Sequence, residues 1–250
     1  MRALILSSFV AGDPIGGNAQ QLALAALGWE AALVPTVVFG RSPAKGGRGR
    51  ATGPDHFAAM LEDLEAEGWL GCDLVVTGHF SLPEQVEAAA EALRRRPPRV
   101  TVVDPILGDA PKGLYVKPEV ATAVEALLPP LASWITPNAW ELSHLTGLAV
   151  ADTASACHAA RQLEPPALVT SVPLGEGEIG LLCCDENAAT LIAHPRLPQA
   201  PNGTGDLVAA VFGAELAEGR PPAEAAAAAA RAVLARLMPT GGALRIEALP

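Results

Sequence analysis

Pro201-Asn202-Gly203-Thr204-Gly205-Asp206 is a short glycine-rich turn that delivers one carboxylate and a row of backbone N–H groups to a single point. It stands between a proline-punctuated segment, residues 193–201, and an apolar run, 207–216, whose spacing predicts a helix with Asn202, Gly203 and Thr204 at its entrance. The first N–H groups of a helix have no partner inside it, and the helix dipole adds partial positive charge there, so a phosphate or developing anion is stabilised. Gly203 and Gly205 let the backbone approach without a side chain intervening. Asp206 can then accept a proton from an attacking hydroxyl while the amides hold the group being transferred. The same six residues also read as an ordinary capped helix in which Asp206 only complements the dipole.

On either side of that turn, short β-branched or leucine-rich runs alternate with longer helical patterns, the signature of a sheet with crossover helices. Strands are expected at residues 3–6, 32–39, 74–77, 100–103, 134–135 and 167–171, with a hairpin built from 180–184 and 190–193. Helices are expected at 17–27, 54–67, 83–96, 118–128, 138–145, 155–163, 207–216 and 222–237. Residues 40–53 are rich in Gly and Arg, lack periodicity and read as a mobile loop, with 46–53 either a lid that excludes water or a plain connection. The alanine tract 225–230 belongs to the last helix, because Val233, Leu234 and Leu237 continue an apolar face.

Half of the 250 residues are hydrophobic, enough for one large core, and a single domain over residues 1–250 is expected. The net charge of −10 speaks against a nucleic-acid-binding face. Arg94, Arg95 and Arg96, the only tight basic run, close a helix before Pro97-Pro98, where cations suit the C-terminus. Cys72, Cys157, Cys183 and Cys184 lack paired metal-binding spacing and read as reduced, packed thiols. The apolar segment 3–6 is too short for a signal-peptide core and no stretch approaches a membrane span, so a soluble, cytoplasmic protein without nucleic-acid or membrane partners is expected.

Function in such sheets gathers at the carboxyl ends of the strands. Ser7-Ser8, Thr36, Asp104, Asp109, Thr136, Asn138 and Thr170-Ser171 all follow or end a strand. Each alone reads as a turn or cap residue, and jointly they ring one sheet edge, where Asp206 also arrives. Residues 12–18 are glycine-rich but do not form G-x-G-x-x-G; no Walker-type G-x-x-x-x-G-K-[ST] and no G-x-S-x-G elbow occurs.

Asp104-Pro105-Ile106-Leu107-Gly108-Asp109, Thr136-Pro137-Asn138-Ala139-Trp140-Glu141 and Asn202-Gly203-Thr204-Gly205-Asp206, in this order, resemble the ribokinase-like superfamily, most closely its pyridoxal kinase branch. Ser8 with Gly17-Asn18, Pro35-Thr36-Val37, Lys112-Gly113-Leu114-Tyr115-Val116 and Leu168-Val169-Thr170-Ser171 extend the resemblance over nearly the whole chain. It implies an α/β fold, the ribokinase-like three-layer α/β/α sandwich with a mostly parallel central sheet. It also implies ATP-dependent phosphorylation of a hydroxymethyl group on a small aromatic heterocycle, a B6 vitamer, with Mg2+, a monovalent cation left open, and a homodimer. By position, Asp206 would be the catalytic base, and Gly203, Thr204 and Gly205 the anion hole for the γ-phosphoryl group. Asp104 and Glu141 would hold magnesium directly or through water. Thr136, Asn138, Thr170 and Ser171 would contact phosphates or the metal's shell, and Arg196 and Leu197 would line the nucleotide pocket. Ser8, Thr36, Tyr115 and His79 would face the heterocycle.

The chain departs from that branch at three places. Gly40-Arg41-Ser42 replaces a serine-asparagine-histidine run, His79 replaces a tyrosine, and Thr170 stands where some relatives carry lysine, leaving Arg41, Lys45 or Lys112 to neutralise phosphate. A hydroxymethylpyrimidine kinase of thiamine synthesis is the alternative within the fold, and a non-catalytic nucleotide- or vitamer-binding protein the alternative outside catalysis.

Overall fold

The computed structural model of the chain describes residues 1–175, 177–196, 201–237 and 244–249. The strands are β1 (Arg2–Val10), β2 (Glu30–Phe39), β3 (Gly49–Ala51), β4 (Leu74–Thr77), β5 (Val100–Val103), β6 (Gly108–Asp109), β7 (Gly113–Leu114), β8 (Trp134–Ile135), β9 (Ala167–Pro173), β10 (Glu178–Cys184), β11 (Ala189–Pro195) and β12 (Arg245–Leu249). The helices are α1 (Gly17–Ala26), α2 (Pro54–Ala66), α3 (Pro83–Arg95), α4 (Pro118–Leu127), α5 (Ala139–Thr146), α6 (Thr153–Ala160), α7 (Thr204–Ala217) and α8 (Pro222–Leu237).

Ten strands form one sheet in the order β12-β11-β10-β9-β8-β5-β4-β1-β2-β3, and β6 and β7 form a separate small hairpin. The centre, β9-β8-β5-β4-β1-β2, is parallel throughout; β3 and the β10-β11-β12 wing pair antiparallel. Helix-covered parallel strands have no solvent face, which is why Leu74-Val75-Val76-Thr77 and Val100-Thr101-Val102-Val103 are buried at every position. Alternate side chains nevertheless serve different layers. Leu4, Leu6, Val75 and Val103 join a core with α2, α3, α4, α5 and α6, whereas Ala3, Ile5, Val76 and Val102 face α1 and α7. A third cluster joins Trp134, Leu168 and Ile192 to Phe212 of α7 and to the alanines of α8. The result is the three-layer α/β/α sandwich, with the alanine tract buried in α8.

Polar side chains fix the layers locally. Gln85, fully buried on α3, accepts the Ser81 and Leu82 N–H groups and donates to the carbonyls of Thr36 and Thr52 at 2.8 and 2.7 Å, so its amide is fully used. Arg95 and Arg96 at the end of α3 pair with Glu65 of α2, which gives the basic run an interhelical partner. All four cysteines are free and buried, with Cys157 and Cys184 sulfurs 4.0 Å apart. No helix among the described residues is long and apolar enough to cross a membrane.

Four segments differ from the sequence reading, one of them the β6–β7 hairpin, where no strand was expected. Strand β1 runs to Val10 instead of stopping at residue 6, because Ser7 and Ser8 continue it as buried polar residues. Residues 40–53 are not structureless: Pro43–Lys45 forms a 3-10 turn and β3 pairs with β2 as an edge strand. β12 adds an unexpected strand beside β11.

Candidate active site

A cavity of about 810 Å3 opens along the carboxyl edge of the parallel strands. At its middle stands the start of α7. Gly203 is the helix N-cap with φ of 94°, and a Cβ there would lie 2.7 Å from the Pro14 carbonyl oxygen, so only glycine fits. Asn202, Gly203, Thr204, Gly205 and Asp206 all line the cavity, leaving the first N–H groups of α7 facing it without intrahelical partners.

Asp206 is held from the other end of the chain. Its Oδ2 accepts the Gly16 N–H at 2.8 Å, while Oδ1 is buried and makes no hydrogen bond. Burial raises the Asp206 pKa and the Gly16 N–H opposes the shift. Gly16 itself has φ of 63° and packs against Ser8, where a Cβ would fall 2.2 Å from the Ser8 hydroxyl.

Asp104 and Glu141 lie on the same cavity wall. Burial, reinforced by the charges of Glu141 and Asp206, pushes the Asp104 carboxyl well above the usual range. The neighbouring Thr136 hydroxyl opposes this, yet its oxygen is buried without a well-formed hydrogen bond. Burial likewise raises Glu141, to about 7, against three backbone donors: Leu107 N–H at 2.8 Å and Gly108 N–H at 3.3 Å to Oε1, and Asn138 N–H at 2.9 Å to Oε2. Asn138 returns the bond through its own side chain, capping α5, and its amide donates to the Gly108 carbonyl at 2.8 Å. Glu141 therefore ties α5 to the turn after β5. Among the described residues no group of three or more His, Cys, Asp and Glu side chains is placed to hold a metal. Two buried carboxylates, of which Glu141 helps raise Asp104, nevertheless form an oxygen donor set short of positive charge, which fits a hard divalent cation.

The cavity has two ends. Toward β1 and β2 it is lined by Ser8, Phe39, Ser42, His79, Ile106 and Tyr115; toward β10, β11 and α8 it is lined by Ile179, Leu181, Arg196, Val233 and Leu237, with Thr170 and Ser171 between. Ile106 and Ser171, with φ of 42° and 58°, are non-glycine residues in the left-handed region, and both face the cavity. His79 makes no hydrogen bond through Nδ1, and burial lowers its pKa to about 4, so the ring is neutral at physiological pH. Burial, with the charge of Asp109 second, raises the Tyr115 phenol to about 12.

The structure thus gathers Ser8, His79, Asp104, Tyr115, Thr136, Asn138, Glu141, Thr170, Ser171, Arg196, Gly203, Thr204, Gly205 and Asp206 around one space. Thr36 is the exception. It is fully buried behind the wall, and its hydroxyl donates to the His79 carbonyl at 2.6 Å, so it sets the backbone of a lining residue instead of facing the cavity. Leu197 lies outside the described residues. Of the three candidate cations, Lys112 lines the cavity, Lys45 pairs with Asp13, and Arg41 reaches the Gly46 carbonyl. Sequence reasoning missed Gly16 and Asp13. The glycine-rich run at 12–18 was the available signal for Gly16; a lone aspartate in a turn offered none for Asp13.

Helix-start amides, a buried carboxylate beside them and a second acidic pair are groups whose chemistry suits phosphoryl transfer. A family model described as phosphomethylpyrimidine kinase matches residues 17–244. A pyridoxal kinase of Leifsonia xyli subsp. xyli is 34% identical over 225 residues, covering 85% of this chain and 80% of the relative. The crystal structure of pyridoxal kinase from Entamoeba histolytica superposes with a TM-score of 0.89 at 26% identity, covering 99% of each chain. Pyridoxal kinase from Leishmania donovani in complex with ADP gives 0.83 at 25% identity, covering 93% of this chain and 84% of that one. The chain belongs to the phosphomethylpyrimidine kinase family of ribokinase-like proteins, within its pyridoxal kinase branch.

Proposed function

We propose that this chain is a pyridoxal kinase, transferring the γ-phosphoryl group of ATP to the 5′-hydroxymethyl group of pyridoxal or a related B6 vitamer to give the 5′-phosphate and ADP. The observation that carries the reading is Asp206: a buried carboxylate with one oxygen fixed by Gly16 and the other unpartnered, at the N-terminus of α7. The vitamer occupies the β1–β2 end among Ser8, Ser42, His79 and Tyr115, and the nucleotide the β10–β11 end with Arg196. Asp206 takes the proton of the acceptor hydroxyl as its oxygen attacks, and a raised pKa makes the carboxylate a better base. The N–H groups of Gly203, Thr204 and Gly205 hold the oxygens of the transferring group, whose charge spreads in the transition state. Thr136, Asn138, Thr170 and Ser171 orient the phosphates. Asp104 and Glu141 would hold magnesium, directly or through water, and the cation would supply neutralisation of phosphate charge. One domain over residues 1–250 is part of the same reading, supported by one continuous ten-stranded sheet that takes in strands from β1 to β12.

Phosphorylation of a hydroxymethylpyrimidine is the second reading, favoured by the description of the matching family model and by Ser42 in place of a ring-contacting histidine. A panel of pyridoxal, pyridoxine, pyridoxamine and hydroxymethylpyrimidine with magnesium-ATP, followed by ADP release and product mass, decides between them. The expected outcome is highest kcat/KM for pyridoxal, and no turnover after chelation of the metal. Absence of turnover on all four would remove the kinase reading.

A further inference from the structure

The turn between β1 and α1 reaches in two directions. Its Gly16 N–H holds the base, as described. Three residues earlier, Asp13 reaches across to the segment that follows β2: Oδ2 accepts the Ser42 N–H at 2.9 Å, and Oδ1 pairs with the Lys45 ammonium. Asp13 is fixed on its own side, because its carbonyl and that of Val10 both accept the Asn18 side-chain amide, at 3.3 and 3.1 Å. The Ala11 and Gly12 N–H groups add bonds to the Phe39 and Gly40 carbonyls.

The segment so held is a cavity wall: Ser42, Pro43 and Ala44 line the vitamer end. Its remaining bonds are internal. Lys45 and Gly47 N–H groups return to the Ser42 carbonyl, Ala44 N–H to the Ser42 hydroxyl, and Arg41 to the Gly46 carbonyl. Among the described residues, Asp13 provides the only side-chain hydrogen bonds that anchor residues 41–47 to the rest of the molecule. Its side chain is 14% exposed, whereas that of Lys45 is 64% exposed, so the bond to the Ser42 amide is the shielded half of the pair.

Resting on the kinase reading above, we propose that Asp13 is a positioning residue for the acceptor: it holds the Ser42–Ala44 wall in register with Asp206, so that the vitamer hydroxyl meets the base and water does not. A charged acceptor on a backbone N–H is a strong tether, and it is the one a neutral turn residue would lack. Once the wall loosens, the acceptor oxygen loses its fixed approach, and water enters as a competitor. In that side reaction the water oxygen forms the new bond to the γ-phosphorus, the bond to the ADP oxygen breaks, and the water proton passes to Asp206.

The test uses the full chain with magnesium-ATP and pyridoxal, and measures ADP and pyridoxal phosphate separately. Asp13→Ala is expected to raise KM for pyridoxal about tenfold or more, leave KM for ATP within about twofold, and release more ADP than pyridoxal phosphate. Lys45→Ala, which removes only an exposed ammonium, should change KM for pyridoxal less than about twofold. Asp13→Asn keeps an acceptor for the Ser42 N–H and should raise that KM about threefold; it is the variant to read if Asp13→Ala does not fold. Unchanged KM for pyridoxal with equal ADP and product would overturn the proposal, as would equal losses toward both substrates that track a lower melting temperature. If the unmodified protein phosphorylates no vitamer, the kinase reading fails first and the proposal with it; if it turns over normally and Asp13→Ala does too, only the proposal fails.

Discussion

Replacing Asp206 by asparagine isolates proton transfer from architecture. The carboxylate has two tasks, one at each oxygen: Oδ2 receives the Gly16 N–H at 2.8 Å, and Oδ1 is buried without a partner. An asparagine can keep the first task, because its carbonyl oxygen still accepts the Gly16 N–H, while its amide nitrogen replaces the free oxygen and cannot take a proton. The fold of the turn should therefore survive, and the melting temperature should shift little. Loss of a general base lowers kcat by about 10²- to 10⁴-fold, equivalent to about 3–5 kcal/mol of transition-state stabilisation. ATP affinity should hold or improve, since one negative charge is removed from the phosphate end. The same charge helps raise Asp104, so its removal draws that carboxyl back toward its ordinary range. Steady-state kinetics on the vitamer, with ADP and ATP binding by calorimetry, measures both halves. An Asp206→Asn enzyme with unchanged kcat would return Asp206 to the role of a charge at a helix start, and a large loss of ATP affinity would mean that it organises the nucleotide instead.

Other consequences can be checked on the same protein. Gly203→Ala forces a side chain into a left-handed N-cap and against the Pro14 carbonyl, so stability should fall by about 1–3 kcal/mol and kcat by about 10- to 100-fold as the anion hole shifts. Gly205→Ala, whose added carbon meets nothing within 4 Å, should keep the melting temperature and serves as its control. The folded-state pKa of His79, about 4, lies below its usual 6.5, so the unfolded chain binds the proton first as pH falls. The stability due to a neutral His79 is fully present above pH 6.5 and is lost between pH 6.5 and 4, by at most about 3 kcal/mol. Urea midpoints at pH 7 and pH 4.5 should therefore fall further for the wild type than for His79→Gln, and equal falls would contradict the buried neutral ring.

The buried strands β4, β5 and β8 and the helix α8 coincide with the sequence reading, because continuous apolar runs between turn residues leave little freedom of assignment. The edges were harder. β3 is Gly-Arg-Ala and β12 is Arg-Ile-Glu-Ala-Leu, both mostly exposed, so neither carries the pattern that a core imposes. β1 outran its apolar segment because Ser8 lines the cavity and the buried Ser7 hydroxyl accepts the His79 N–H behind it, the place where a strand is expected to break its own rule. Asp104 and Asp206 were legible as residues arriving at one sheet edge, whereas Glu141, inside α5, was legible only through the resemblance carried by its motif. Gly16 contributes only a backbone N–H, a donor every residue but proline possesses, and Thr36 differs from a lining residue by where its hydroxyl points. Neither distinction exists in one dimension.

The hydrogen bond from Gly16 to Asp206 joins residues 190 positions apart. The helix that bears Asp206 is made late in the chain, yet it packs against α1 and the first strands of the sheet. Every other lining segment of the vitamer wall precedes residue 116. During synthesis, then, that end of the cavity can be complete long before Asp206 joins it, and closing a loop of this length is a condition for assembling the site. Phosphoryl transfer is thus a reporter of complete folding, silent until the two ends of the sequence have met.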